Sequence, residues 1–186
     1  MSLEIFDGIC PEARELWDKI KPRLAEKEKE VRRIPVSILI WGPSPEGDSK
    51  ISILRRDLRS ILRQDGHLAV FSEEIYDDTS DITLRTQQLL QAEQFDIIIS
   101  IPDSPGSIAE IHDFTGDTRI NKKIVVFLNK QHCIGYSGQS LIAISNVLSC
   151  EIIFYENEDD REFIIITSRN IISQIREYKY LFGGRV

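Results

Sequence analysis

The chain has 186 residues, with 23 basic and 30 acidic side chains giving a formal charge of −7, and is 41% hydrophobic. That length suits one domain of roughly 100–200 residues with a small helical appendage, and the apolar fraction excludes intrinsic disorder. No stretch approaches the ~18 apolar residues of a membrane span, and the first twenty residues lack a signal pattern, which argues against export and for a cytoplasmic protein. Cys10, Cys133 and Cys150 are an odd, widely spaced set. They fit a reducing compartment and supply neither a disulfide framework nor a zinc knuckle. The negative charge leaves nucleic acid only a local basic patch or a partner as its route of contact.

Residues 1–34 read as a helical extension and 35–186 as an α/β domain. In the extension, Leu16, Ile20 and Leu24 recur at a spacing of four from Pro11 to Arg33, the stripe of a charged helix. Pro22 is expected to kink it, because proline lacks the amide donor and clashes with the preceding turn. From Val36 to Trp41 the pattern becomes a short apolar run closed by Gly42-Pro43, the mark of a strand buried on both faces. A polar loop over 44–49 leads to a helix capped by Asp48 or Ser49. Ile51, Leu54, Leu58, Ile61 and Leu62 form its apolar face, while Arg55, Arg56, Arg59 and Arg63 are expected to point outward. Gly66 ends it, where a left-handed turn carries little steric cost.

His67–Phe71 predicts a second strand, followed by an acidic loop with Glu73, Glu74, Asp77 and Asp78. Ser80 is expected to cap a helix through Gln94 with Leu84, Leu89 and Leu90 inward. Asp96–Ile101 is a third strand, Ser107–Phe114 a short helix, Lys123–Leu128 a fourth strand and Gln139–Leu148 a weaker helix. Cys150–Tyr155 is a fifth strand, and an acidic turn over Glu156–Asp160 precedes a last helix from Arg161 to Leu181. Five apolar strands alternating with helices favour parallel pairing. They imply a three-layer α/β sandwich with a five-stranded parallel sheet, flavodoxin-like or a close Rossmann relative.

In such a sheet a ligand sits beyond the carboxyl ends of the strands, which singles out the loops after Trp41, Phe71, Ile101, Leu128 and Tyr155. The loop after the third strand, Asp103-Ser104-Pro105-Gly106-Ser107, is the most informative. Gly106 permits close backbone approach, and Ser107 is placed as an N-cap whose neighbouring amides could hold a phosphate. Glu110 follows Ser107 by three residues. It either completes a Ser-x-x-Glu capping box or projects into the crevice as a nucleophile or electrostatic stabiliser. Asp113, one turn on, shares its face, whereas His112 lies about 200° around the axis. Glu73, Glu74 and Tyr76 occupy the same rim, as ribose contacts, a base-stacking ring or simply a charged surface loop. Lys50 and the arginines of the second helix read as a solvated face or as phosphate contacts. His67 and His132 lack a second ligand at metal spacing, so no metal is expected. Cys133 has no placed base, and Ser137 lacks the preceding strand of a nucleophile elbow. Gly135 and Gly138 read as a lid or ligand-approach loop. Neither a phosphate-binding P-loop nor a dinucleotide fingerprint is present, so ATPase and dehydrogenase chemistry fall away, and no cofactor is called for.

Gly42-Pro43 after the first strand, Asp103 past the third and the Gly106-Ser107-x-Ala109-Glu110 helix start together resemble the nucleoside 2-deoxyribosyltransferase-like group. They also resemble the neighbouring Toll/interleukin-receptor-like and lysine-decarboxylase-like folds. The resemblance spans roughly residues 36–160. It implies cleavage or transfer of an N-glycosidic bond in a nucleoside, nucleotide or NAD-like dinucleotide. Glu110 would be the nucleophile, Asp103 a base or ribose contact, and Gly42, Pro43, Ser104, Gly106, Ser107 and Asp113 substrate-binding. The transferase pattern Gly-Thr-x-x-Glu-Leu-Gly is altered here to Ser107, Ile111 and His112, which points to a divergent effector or sensor rather than a salvage enzyme. Similar domains serve in bacterial anti-phage systems, including retron effectors, so a homo-oligomer or a defence partner protein is implied. The non-enzymatic alternative is a nucleotide-sensing or assembly module binding phosphate at Gly106-Ser107.

Overall fold

The computed structural model describes residues 10–157 and 159–183, so Glu158 of the acidic turn lies outside the described residues. The backbone divides between Ile34 and Pro35 into two compact units. The first holds α1 (Pro11–Arg32), which runs unbroken through Pro22 and carries ion pairs such as Lys19–Glu15 one turn apart.

The second unit is built on β1 (Ser37–Trp41), β2 (Leu68–Phe71), β3 (Ile97–Ser100), β4 (Ile124–Asn129) and β5 (Glu151–Tyr155). They form one parallel sheet in the order β2-β1-β3-β4-β5, as the alternation of strands and helices implied. The helices are α2 (Lys50–Gln64), α3 (Leu84–Gln94), α4 (Pro105–Thr115), α5 (Tyr136–Leu148) and α6 (Arg161–Phe182). Side chains alternate across each strand, so each face of the sheet has its own core. Ile38 and Ile40 of β1 join Ile97 and Ile99 of β3 against Leu54, Leu58 and Leu62 of α2 and Ile164 and Ile172 of α6. On the opposite face Leu39, Trp41 and Ile98 pack with Ala92 of α3, Ile108, Ile111 and Phe114 of α4, and Leu141 of α5. This is a three-layer α/β sandwich.

Several local expectations need correction. Arg55 does not point outward: it is wholly buried. The helix before β3 is capped by Thr83 rather than Ser80, and its Leu84 and Leu90 are exposed. Gln87 is buried in their place because its carboxamide bonds the Asp77 amide (3.0 Å) and carbonyl (2.9 Å), tying the loop after β2 to α3. The helix after β3 is capped by Ser104, not Ser107. Gly135 and Gly138 form no lid. Gly135 is the N-cap of α5, and Gly138 is buried inside that helix, where a Cβ would stand 1.9 Å from the His132 carbonyl oxygen.

Candidate functional site

The strand order places the point where the crossovers change their direction of winding between the parallel strands β1 and β3, and a crevice opens beyond their carboxyl ends. There lies a cavity of about 400 Å³, large enough for a small ligand. β1 contributes Trp41 and the following Gly42, β3 contributes Ser100 and the following Pro102, and the turn after β2 contributes Ser72, Glu73 and Tyr76. Leu84, Gln88 and Gln91 come from α3.

From α4 come Ser107, Glu110, Ile111 and Phe114. Their spacing of three, four and seven defines one helix face, so a single orientation of α4 presents all four. Phe114 leans on Trp41 with ring centroids 4.9 Å apart, which anchors that orientation. The start of α4 is closed without Glu110. Ser104 Oγ accepts from the Ser107 amide (3.2 Å), while Ser107 Oγ accepts from the Ser104 amide (3.1 Å) and donates to the Ser104 carbonyl (2.9 Å). A reciprocal serine pair therefore does what a Ser107–Glu110 box would have done. The Glu110 side chain stays exposed at the cavity, with no hydrogen-bond or ion-pair partner among the described residues.

The second carboxylate of the cavity is held differently. Glu73 receives both terminal nitrogens of Arg55, each at 2.7 Å, and the Ser72 hydroxyl at 3.0 Å. Burial pushes its pKa up, but these bonds outweigh burial and leave the carboxyl below its ordinary range, so it is ionised at neutral pH. Arg55 also donates to the carbonyls of Ile40 and Pro43, both at 2.6 Å, and lies 4.5 Å over the Phe71 ring. One buried guanidinium thus ties β1, the loop after it and Glu73 together. The other arginines of α2 do the same at the rim. Arg56 donates to the carbonyls of Pro45 and Gly47, Arg59 pairs with Glu74, and Arg63 donates to the Ala69 carbonyl. They are loop staples rather than a free basic face. Gly42 has φ +154°, and a Cβ there would stand 2.9 Å from the Ile101 carbonyl oxygen, so the turn out of β1 requires glycine.

Of the residues singled out in the sequence, Glu110, Gly42 and Ser107 line the cavity together, joined by Glu73 and Tyr76. Asp103, Ser104, Gly106, Pro43 and Asp113 do not. Ser104 is committed to the cap, the Pro43 carbonyl to Arg55, and Asp113 faces Arg85 at 3.6 Å. His112 turns away to the Ser140 hydroxyl of α5 at 3.0 Å, as its angular offset from Glu110 requires. Trp41 and Phe114 were read only as ends of a strand and a helix, and Ser100 only as part of the third strand. For Trp41 and Ser100 the signal was position, since the last residue of a strand in this topology faces the crevice as well as the core. Among the described residues no three histidine, cysteine, aspartate or glutamate side chains gather as metal ligands, and no helix is long and apolar enough to cross a membrane. Comparison of the sequence with protein-family models and with curated proteins finds no match.

Proposed function

We propose that this cavity takes a nucleoside, a nucleotide or an NAD-like dinucleotide and breaks or transfers its N-glycosidic bond. The observation that carries the reading is Glu110: a carboxylate released from capping, unpartnered, on a helix face shared with the aromatic lining. As a glycosidic bond breaks, positive charge develops on the ribose ring, and a carboxylate beside the anomeric carbon stabilises that charge or captures it covalently. Water or an acceptor nucleophile then takes the sugar. Phe114 and Tyr76 offer aromatic surface for the base, and Glu73, fixed by Arg55, offers an acceptor for a sugar hydroxyl. The departing base needs a proton. Asp103 lies on the loop before α4 but off the cavity lining, so it would act through water.

The sensing alternative draws less support. Of the amides in the first turn of α4, the Ser107 and Ile108 amides are already taken by Ser104, which leaves a phosphate little beyond the Gly106 amide. The resemblance in sequence further suggests a cytoplasmic effector of an anti-phage system, working as a homo-oligomer or with a partner protein.

The test is chromatography of products after incubation with nucleosides, nucleotides and NAD. Wild type should release free base, and Glu110→Gln should lower the rate by about a hundredfold or more. Equal rates in both would remove Glu110 from the chemistry. Tight calorimetric binding by wild type without turnover would favour the sensor.

A further inference from the structure

Trp41 and Ser100 are register partners on the adjacent strands β1 and β3, and alternation puts both side chains on the α3–α4 face of the sheet. Both line the cavity, and both are more than nine-tenths buried. Yet Trp41 Nε1 and Ser100 Oγ are buried atoms without a hydrogen-bond partner. A third cavity residue shares this condition. Gln91 Nε2 donates to the Ile75 carbonyl at 2.8 Å, which fixes the amide and leaves the buried Oε1 unpartnered. Nearly all buried polar groups in folded proteins find a partner, and of the seven buried side-chain atoms without a hydrogen bond among the described residues, three line this one cavity. Trp41 offers only a donor, Gln91 Oε1 only an acceptor, and Ser100 either.

We propose that this floor is a subsite for a flat heterocycle with an amide-type edge, one acceptor beside one donor, which supplies the three missing hydrogen bonds. The proposal rests on the reading that the cavity holds a nucleoside, and it narrows that substrate class. The base must present both an acceptor and an N–H, as adenine, hypoxanthine, guanine and uracil do. Unsubstituted purine, which has acceptors only, leaves Gln91 Oε1 unpaired and binds poorly.

Two measurements test it together. Calorimetry uses Glu110→Gln protein, so that no turnover intervenes, with adenosine, inosine, guanosine, uridine and purine riboside as probes. At least one of the first four should bind tenfold or more tightly than purine riboside, and adding Ser100→Ala or Trp41→Phe should weaken that binding about tenfold. Thermal melting of the ligand-free single variants is the second measurement. Ser100→Ala removes a buried hydroxyl that has no partner, so it should hold or raise the Tm, by up to about 2–4 °C. A lowered Tm for Ser100→Ala would show that resident solvent already satisfies the hydroxyl, and would overturn the proposal. So would binding indifferent to the floor variants, or a panel in which no nucleoside binds. Preference for the edge without any turnover keeps the subsite and removes the glycosidase. Turnover without edge preference does the reverse.

Discussion

His67 sets the acid limit of this fold. It stands just before β2 and is 8% exposed, and its Nδ1 accepts the Val36 amide at 3.2 Å. That bond needs the tautomer protonated on Nε2, and adding a second proton at Nδ1 sets two donors against each other. Burial and, secondarily, the nearby Arg176 lower the pKa to about 4, against a smaller opposing pull from Asp65. The unfolded chain takes up this proton near pH 6.5, so stability is intact above that value and is lost as the pH falls toward 4. Linkage over a window from pH 7 to 4.5 gives a loss of about 2–2.5 kcal/mol. With a slope of roughly 2 kcal/mol per molar urea, the unfolding midpoint should fall by about 1 M. His67→Asn keeps an acceptor at the Nδ1 position and cannot titrate. Its midpoint should stay nearly flat across the same window. The lowered carboxylates, Glu73, Glu74, Asp96 and Asp117 among them, contribute mainly below it and equally in both proteins. A parallel decline of wild type and variant would refute the assignment.

Arg55→Met should destabilise the chain by about 3 kcal/mol in urea titrations, because it strips donors from Glu73 and from two backbone carbonyls at once. Glu73→Gln should cost less, since the carboxamide keeps one oxygen to accept from Arg55, which also retains the Ile40 and Pro43 carbonyls. A larger loss for Glu73→Gln than for Arg55→Met would reverse that assignment. Gly138→Ala puts a Cβ into the His132 carbonyl and should cost about 3 kcal/mol, despite alanine's better helix propensity. Gly116→Ala, where nothing lies within 4 Å, should be neutral or slightly stabilising.

The sheet was readable because each strand is a short, nearly unbroken apolar run, and such runs separated by helices leave little choice but parallel pairing. For α4 the spacing paired Glu110 with Ser107 and put Asp113 on the same face, whereas the helix turns Ser107, Glu110, Ile111 and Phe114 to the cavity and leaves Asp113 to Arg85. Arg55 was misread although its position was informative. It falls among Ile51, Leu54, Leu58 and Leu62 on the buried stripe of α2, and residue type was allowed to outweigh periodicity. The cap of α4 was misread by one turn. Serines stand at both 104 and 107, but proline is favoured just inside a helix start, and Ser104-Pro105 marks the boundary better than Gly106-Ser107. The partners of the α2 arginines could not be read at all. They are strand and loop carbonyls and acids 6 to 18 residues away, brought near only by the crossover.

The two cavity carboxylates differ in freedom, and that difference bears on which one can act. Glu73 is bonded end-on to a buried guanidinium, so its charge is largely cancelled within a few ångströms and its geometry is fixed from both sides. A carboxylate so neutralised can accept a hydroxyl, but it contributes little net field to a distant cationic centre. Glu110 has no such partner, so its full charge is available to whatever enters, and its side chain can adjust to the position of a reacting atom. If the roles were exchanged, covalent capture by Glu73 would have to break two charge-assisted bonds and leave Arg55 buried and unpaired. The proposed chemistry therefore belongs on α4, and the turn after β2 supplies a fixed wall against which a substrate can be aligned.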